Sequence, residues 1–230
     1  MKENKIKKAN TSPEGQAGSE NMSTADVDAV MKKYDRESNI RVWTGKYRLA
    51  VRGLLVAFSL WWIYVTLFAT FLEEIRLTSF LGLIILIGFL TYPAKKGDIR
   101  ENYMPIGDII FMIAGTGAFL YFTFSANQII NQGTRFAPYE IVIGIIGIAA
   151  LIELTRRCVG LPILFVAGFF LIYALAVGLT NPAFLGRVKF LVRNLFYTKE
   201  GIFSTPVNVC SKYIVVFIIF GAFLERTGIS

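Results

Sequence analysis

The chain has 230 residues, of which 54% are hydrophobic and 17% charged, and its mean hydropathy is +0.54. This composition excludes a soluble globular protein, which needs a more polar exterior. Because the sequence contains no histidine, catalytic triads, metal sites and proton relays that depend on an imidazole are excluded too. The net charge of +8 does not indicate nucleic-acid binding, since the basic residues border apolar segments and form no stripe of their own.

The N-terminal segment contains no apolar run long enough to act as a secretory signal. Residues 1–24 are rich in Lys, Glu, Gly, Ser and Asn, a composition that predicts disorder. Apolar residues then recur at helical spacing from Val27 to Tyr34, which predicts a short helix. We therefore expect residues 1–48 to be a largely disordered cytoplasmic segment with one short helix, and the first span to direct insertion.

Six apolar stretches follow, each close to the roughly 20 residues that a membrane-spanning helix needs. In chain order they are Gly53–Leu72, Leu77–Pro93, Met104–Phe124, Pro138–Arg157, Val159–Leu179 and Pro206–Leu224. Only Glu73–Arg76 separate the first two stretches, which predicts a tight helical hairpin. The sequence therefore predicts an all-α integral membrane protein with about six transmembrane helices.

The segment from Phe184 to Lys199 has a different pattern. On a helical wheel its apolar residues occupy one continuous arc, while Arg187, Lys189 and Arg193 lie opposite. This predicts an amphipathic helix. Such a helix lies along the membrane surface or packs against neighbouring spans, and the sequence leaves both alternatives open.

The distribution of basic residues predicts the orientation, because cytoplasmic loops retain Lys and Arg. Of the 24 such residues, 11 precede the first span, and the next four connections carry 1, 3, 1 and 2. The N-terminus is therefore expected to be cytoplasmic. Four basic residues between Arg187 and Lys199 break this pattern on the outer side. The alternative is that the fifth stretch re-enters the membrane without crossing it.

Three carboxylates lie within the predicted spans, where a charge costs about 2.5 to 3.5 kcal/mol and marks a functional candidate. Asp108 and Glu140 lie near the start of their spans, where a carboxylate interacts favourably with the positive end of the helix dipole. Glu153 precedes Arg156 and Arg157 at helical contact spacing, which predicts an ion pair. We therefore predict no catalytic residue, metal ligand or cofactor site, and an intramembrane enzyme is not expected because no nucleophile and base are paired.

Small and aromatic residues within the spans predict helix packing. Trp61 and Trp62 lie inside the first span rather than at its ends, so we expect them to contact a partner helix. Cys158 and Cys210 lie far apart at span edges and are expected to be free thiols. Glycines allow helices to approach closely; those that cluster in the third to fifth spans are Gly115, Gly117, Gly144, Gly147, Gly160, Gly168 and Gly178.

Three segments resemble a known family. They are ADVDAVMKKYDRESNIR at 25–41, LIELTRRCVG at 151–160 and KEGIFSTPVNVCSKYIVVFIIFGAFLERTG at 199–228. They resemble the membrane permease of tripartite ATP-independent periplasmic (TRAP) transporters of the TAXI subclass, in which a small and a large membrane subunit form one chain. With the span order, this resemblance covers nearly the whole chain from about residue 25.

The resemblance implies a division of the chain into parts. Residues 49–157 would form a four-helix domain like the small subunit, and 158–205 a connecting span with an interfacial helix. Residues 206–230 would form the first helix of a domain like the large subunit, whose remainder holds the transport site in this family. The chain therefore resembles the N-terminal part of such a permease, and no substrate-binding or sodium-binding residue can be assigned to it.

The resemblance also implies a function. The chain would be the scaffold part of a secondary transporter for small organic solutes in the bacterial cytoplasmic membrane, driven by a sodium gradient. Its partners would be the lipid bilayer, the rest of the permease and an extracytoplasmic solute-binding protein, which the outward segments 73–76, 125–137 and 180–205 would contact. The alternative is an accessory membrane subunit without transport activity of its own.

Overall fold

A computed structural model describes residues 40–94, 102–132, 136–177 and 184–228, so the predictions for residues 1–39 lie outside the described residues. Within these ranges the regular structure is helical throughout, which confirms the all-α prediction. The helices are α1 (Gly45–Phe68), α2 (Glu73–Thr91), α3 (Ile106–Gln132), α4 (Pro138–Cys158), α5 (Leu161–Val177), α6 (Phe184–Phe196) and α7 (Thr205–Thr227).

Five helices, α1 to α4 and α7, are long and apolar enough to cross a membrane, which indicates a multi-pass membrane protein. The fifth predicted span corresponds to α5, an apolar helix of 17 residues. This length is at the lower limit for a spanning helix. By length and composition, five of the described helices can therefore span a membrane, and the predicted count of six is not confirmed.

The predicted connection between the first two spans is wrong by one helical turn. Residues 69–72 form it, whereas Glu73–Arg76 belong to the first turn of α2. Glu73 and Glu74 stabilise this helix start because their carboxylates face the positive end of the helix dipole. The predicted tight hairpin is nevertheless present, since α1 packs against α2.

The predicted end of the third span at Phe124 is also wrong, because α3 continues to Gln132. Its buried face extends beyond the apolar run through Phe122, Ala126 and Ile129, which recur at helical spacing and are almost completely buried. The polar side chains of this last part, such as Asn127, are exposed. Amphipathic packing therefore prolongs the helix where uniform hydrophobicity stops.

The centre of the molecule is formed by α2, α3 and α4, which approach closely at glycines. A Cβ atom at Gly115 would lie 2.6 Å from the Cβ of Ala150, and one at Gly147 would lie 2.3 Å from the ring of Phe196. The predicted role of small residues is confirmed at these positions and at Gly144. It is wrong for Gly117 and Gly168, where a Cβ would have no neighbour within 4 Å.

Helix α6 is docked on α4 through its C-terminal half. Val192 and Phe196 are buried, and the Phe196 ring lies 5.0 Å from that of Phe119 between centroids. At the other end of α6, Phe184 and Leu185 remain exposed. Of the two alternatives for this amphipathic helix, packing against neighbouring spans therefore applies to its C-terminal half. Its N-terminal half presents apolar side chains outward.

Helix α7 is joined to α1 by a hydrogen bond that involves an irregular turn. Residues Cys210–Ile214 form one π-helical turn, and such a turn shifts the backbone hydrogen-bond pattern by one residue. The carbonyl oxygen of Ser211 accepts a hydrogen bond of 2.7 Å from Nε1 of Trp62, which is fully buried. The predicted helix contact is thus confirmed for Trp62, whereas half of the Trp61 surface is exposed.

Replacing Trp62 by Phe is expected to lower the free energy of unfolding by about 1–3 kcal/mol, because the buried Ser211 carbonyl loses its donor. Trp61→Phe is the matched control and should change stability by less than about 0.5 kcal/mol, since its ring is half exposed. Unfolding of both variants in detergent micelles, followed by circular dichroism, measures the difference. Equal losses for the two variants would contradict this assignment.

Candidate functional site

Charged residues from three segments meet at one end of the molecule. This Asp108 cluster consists of Arg41, Asp108, Glu153, Arg156 and Arg157. The carboxylate of Asp108 accepts a hydrogen bond of 2.7 Å from Nη2 of Arg41 and one of 2.8 Å from Nη2 of Arg157. All three side chains are almost completely buried. Asp108 therefore lies between two cations, beyond the predicted interaction with its own helix dipole.

The predicted ion pairs of Glu153 are confirmed. Its carboxylate accepts hydrogen bonds of 2.9 Å from Nε of Arg157 and of 2.7 Å from Nε of Arg156. The Arg157 guanidinium also lies 4.6 Å from the centre of the Phe89 ring, a cation–π distance. Arg157 is buried, whereas 42% of the Arg156 side chain is exposed. Arg157 therefore contributes more to the stability of the fold than Arg156 does, because exposed ion pairs add little stability.

The Asp108 cluster joins one end each of α2, α3 and α4 to the segment before α1. The backbone N–H of Arg41 donates to the carbonyl of Thr91 at 2.8 Å, and Nη1 of Arg157 lies 3.4 Å from the carbonyl of Tyr92. The segment before α1, the end of α2, the start of α3 and the end of α4 are therefore linked by charged hydrogen bonds. Sequence reasoning missed the contacts of Asp108 with Arg41 and Arg157. The predicted topology places all three residues on the same side of the membrane, and this was the signal from which their contacts could have been predicted.

A second group, the Glu73 cluster, lies at the opposite end of α2 and consists of Glu73, Glu74, Arg76, Lys199 and Asn208. Nζ of Lys199 lies 2.8 Å from Oε1 of Glu74 and 3.1 Å from Oε2 of Glu73. These two carboxylates, Glu74 first, raise the pKa of the Lys199 amine. The Asn208 amide donates to Glu73 and accepts from Arg76 at 2.7 Å. This cluster joins the start of α2 to the start of α7.

Glu140 is fully buried at the start of α4. Its Oε2 accepts a hydrogen bond of 2.7 Å from the backbone N–H of Ala137, which confirms its predicted place at the helix start. Its Oε1 has no hydrogen-bond partner among the described residues. The hydroxyl of Tyr197 donates to the backbone carbonyl of Glu140 at 2.6 Å. Burial, and then the Glu140 charge, raise the pKa of Tyr197, so the phenol stays protonated as this donor.

In the described residues these charged groups bind each other and join helices. In the Asp108 cluster the carboxylates are satisfied by guanidinium groups. Among the described residues no three His, Cys, Asp or Glu side chains are placed to bind a metal ion. Cys158 and Cys210 are free thiols, as predicted. Charge pairing at both ends of an apolar bundle therefore fixes the relative positions of its helices.

Comparison of the chain with models of protein families, with characterised proteins and with solved structures finds no match. The resemblance of the three segments to TRAP permeases therefore stays a prediction.

Proposed function

We propose that the chain is the membrane scaffold of a TRAP-type secondary transporter for small organic solutes. In this proposal residues 49–157 are the part like the small subunit, 158–205 connect it to the transport domain, and 206–230 begin that domain. An ion gradient, expected to be sodium, drives transport, and an extracytoplasmic binding protein delivers the solute.

The proposal depends mainly on a contrast between two parts of the structure. Helices α2, α3 and α4 are joined by buried charges, whereas the last helix, α7, has an exposed apolar surface. Buried charges join α2, α3 and α4 at one end, whereas α7 is held near its own start by Asn208 and by the Trp62–Ser211 hydrogen bond. Further along α7, Phe217 and Phe223 are 70% and 62% exposed. A bundle that is joined by buried charges and presents an apolar last helix suits a scaffold to which further helices attach.

The two clusters also support a sixth crossing of the membrane by α5. Helix α4 ends at Cys158 beside the Asp108 cluster, whereas Lys199 belongs to the Glu73 cluster at the opposite end. The chain between these points must run from one end of the bundle to the other. A helix of 17 residues is about 25 Å long, close to the hydrocarbon thickness of a bilayer. We therefore infer six spans with the N-terminus in the cytoplasm.

Cysteine labelling tests this topology. In a chain with Cys158 and Cys210 replaced by Ala, a membrane-impermeant maleimide should label Thr70→Cys and Glu200→Cys in intact cells. Lys46→Cys is the matched exposed control and should be labelled only after the membrane is permeabilised. Labelling of Glu200→Cys together with Lys46→Cys would mean that α5 does not cross.

Solute uptake tests the proposed function. Cells lacking TRAP systems are given the gene that encodes this chain and the gene of a candidate secreted binding protein, and uptake of the solute that the binding protein retains is measured. We expect accumulation that requires both genes and an inward sodium gradient. Uptake that survives loss of the gene for this chain, or that requires ATP hydrolysis in place of the gradient, would refute the proposal.

The accessory subunit is the second candidate, and the placement of polar groups favours it for this part of the chain. In the described residues the buried charges lie near helix ends and bind each other or the backbone. A transport site needs polar groups that converge near the middle of the membrane. An accessory subunit would co-purify with a permease encoded separately, and uptake would then continue at a reduced rate without it.

A further inference from the structure

A basic pocket of about 390 Å³ lies where the chain enters α1. Arg41 and Trp43 line it from the segment before the helix, and Arg48 and Arg52 line it from the first two turns of α1. The Arg41 guanidinium lies 5.8 Å from the centre of the Trp43 ring. The pocket therefore combines three guanidinium groups with an aromatic side chain at the start of a spanning helix.

Arg41 supplies the strongest sign that the pocket binds an anion. Only 4% of this residue is exposed, and its Nη2 binds Asp108. Its Nε and Nη1 are buried and have no hydrogen-bond partner among the described residues. Buried N–H groups without an acceptor are costly, so they are usually paired. Arg41 also lines the pocket, so a shift of its side chain would bring these groups to an oxyanion bound there. Guanidinium groups bind such anions with two parallel hydrogen bonds.

The other charges around the pocket are not neutralised by the described residues. Arg48 and Arg52 lie one turn apart on α1, are exposed and form no ion pair in the part of the chain that the structure describes. The first turn of α1 contains no acidic residue, so its free N–H groups add positive potential. Asp108, the carboxylate bound to Arg41, is already shared with Arg157. The pocket therefore has a net positive charge.

The position of the pocket indicates which anion it takes. It lies at the start of a helix that is apolar enough to span the membrane, and Leu49 and Val56 on that helix are 74% and 59% exposed. An anion that carries acyl chains can place its charge in the pocket and its chains along these side chains. The cytoplasmic leaflet, on which the basic residues place this end, is rich in anionic lipids. We propose that the pocket binds the phosphate group of an anionic phospholipid from this leaflet.

Lipid retention by the purified full chain tests this proposal, which does not depend on the proposed transport function. The chain in detergent is titrated with phosphatidylglycerol and with phosphatidylcholine, and native mass spectrometry measures the bound fraction. We expect preferential binding of phosphatidylglycerol, weakened about tenfold or more in R48Q/R52Q because each basic residue near the phosphate contributes independently. The control K189Q/R226Q removes the same charge from exposed residues outside the pocket and outside both charged clusters, and it should retain binding.

Three results would overturn the proposal. Phosphatidylglycerol binding by R48Q/R52Q equal to that of the parent chain would exclude the pocket as its site. An equal loss of binding in K189Q/R226Q would mean that only the net charge of the chain matters. Competition by millimolar inorganic phosphate without lipid preference would assign the pocket to a free anion. Since Arg48 and Arg52 are exposed, thermal unfolding in phosphatidylcholine should be unchanged in R48Q/R52Q, which separates lost binding from misfolding.

Discussion

Replacing Arg157 by Gln is expected to lower the free energy of unfolding by about 3–5 kcal/mol, the usual cost of removing one partner from a buried ion pair. The substitution removes the 2.8 Å hydrogen bond to Asp108 and the 2.9 Å hydrogen bond to Glu153. The Asp108 side chain is only 4% exposed, so water cannot readily replace the lost donor there, whereas Glu153 keeps its two hydrogen bonds from Arg156. Unfolding by sodium dodecyl sulfate from mixed micelles measures the change.

The neighbouring Arg156 gives a matched control, because it carries the same charge on the same helix turn and binds the same carboxylate. Its side chain is 42% exposed, so Arg156→Gln should cost no more than about 1 kcal/mol. Arg157→Lys should lie between the two, since an ammonium cannot reproduce the forked geometry of a guanidinium. Equal losses for Arg156→Gln and Arg157→Gln would show that Asp108 does not depend on Arg157.

Replacing Gly147 by Ala is expected to destabilise the docking of α6 on α4 by about 1–3 kcal/mol. The added Cβ would lie 2.3 Å from the Phe196 ring. This ring cannot simply rotate away, because Phe196 is fully buried and also contacts Phe119, Phe122 and Phe203. Either the two helices separate or the ring cluster rearranges. The midpoint of thermal unfolding in detergent reports the loss.

Gly117→Ala is the matched control for this prediction. It introduces the same methyl group into a helix, but apart from the backbone of its own helix no heavy atom of the described residues lies within 4 Å of the new Cβ. It should be neutral or slightly stabilising, since Ala favours helices more than Gly does. In a double-mutant cycle, Phe196→Leu should reduce the cost of Gly147→Ala, because a smaller side chain frees the space. Additive effects would mean that Gly147 and Phe196 do not compete for that space.

Part of the candidate site could be predicted from the sequence. The contacts of Glu153 with Arg156 and Arg157 follow from helical spacing and were predicted. For Asp108, counting spans places it on the same side of the membrane as Arg41 and Arg157. That count says nothing about the rotation of each helix about its axis. The rotation brings these three charges within hydrogen-bond distance and directs Arg156 outward.

The sequence by itself determined the helices and where most of them begin and end. Backbone groups in a membrane must form their hydrogen bonds within the helix, so a sufficiently long apolar run specifies a spanning helix without help from its neighbours. The amphipathic helix α6 was determined in the same way, by the periodicity of its own residues. The ends missed by a turn or more are both ends of α1, at Gly45 and Phe68, the start of α2 at Glu73 and the end of α3 at Gln132. At Glu73 and Gln132, charge or amphipathic packing extends the helix beyond its apolar run.

Only the tertiary structure decided which faces of these helices meet. Lipid is as apolar as a protein interior, so hydrophobicity does not separate a buried side chain from one that faces lipid. Trp61 and Trp62 are adjacent and identical, yet one is half exposed and the other fully buried beneath Ser211. Gly117 and Gly147 differ in the same way. Lateral packing depends on shape and on a few polar contacts between distant residues, and the local sequence pattern does not encode these.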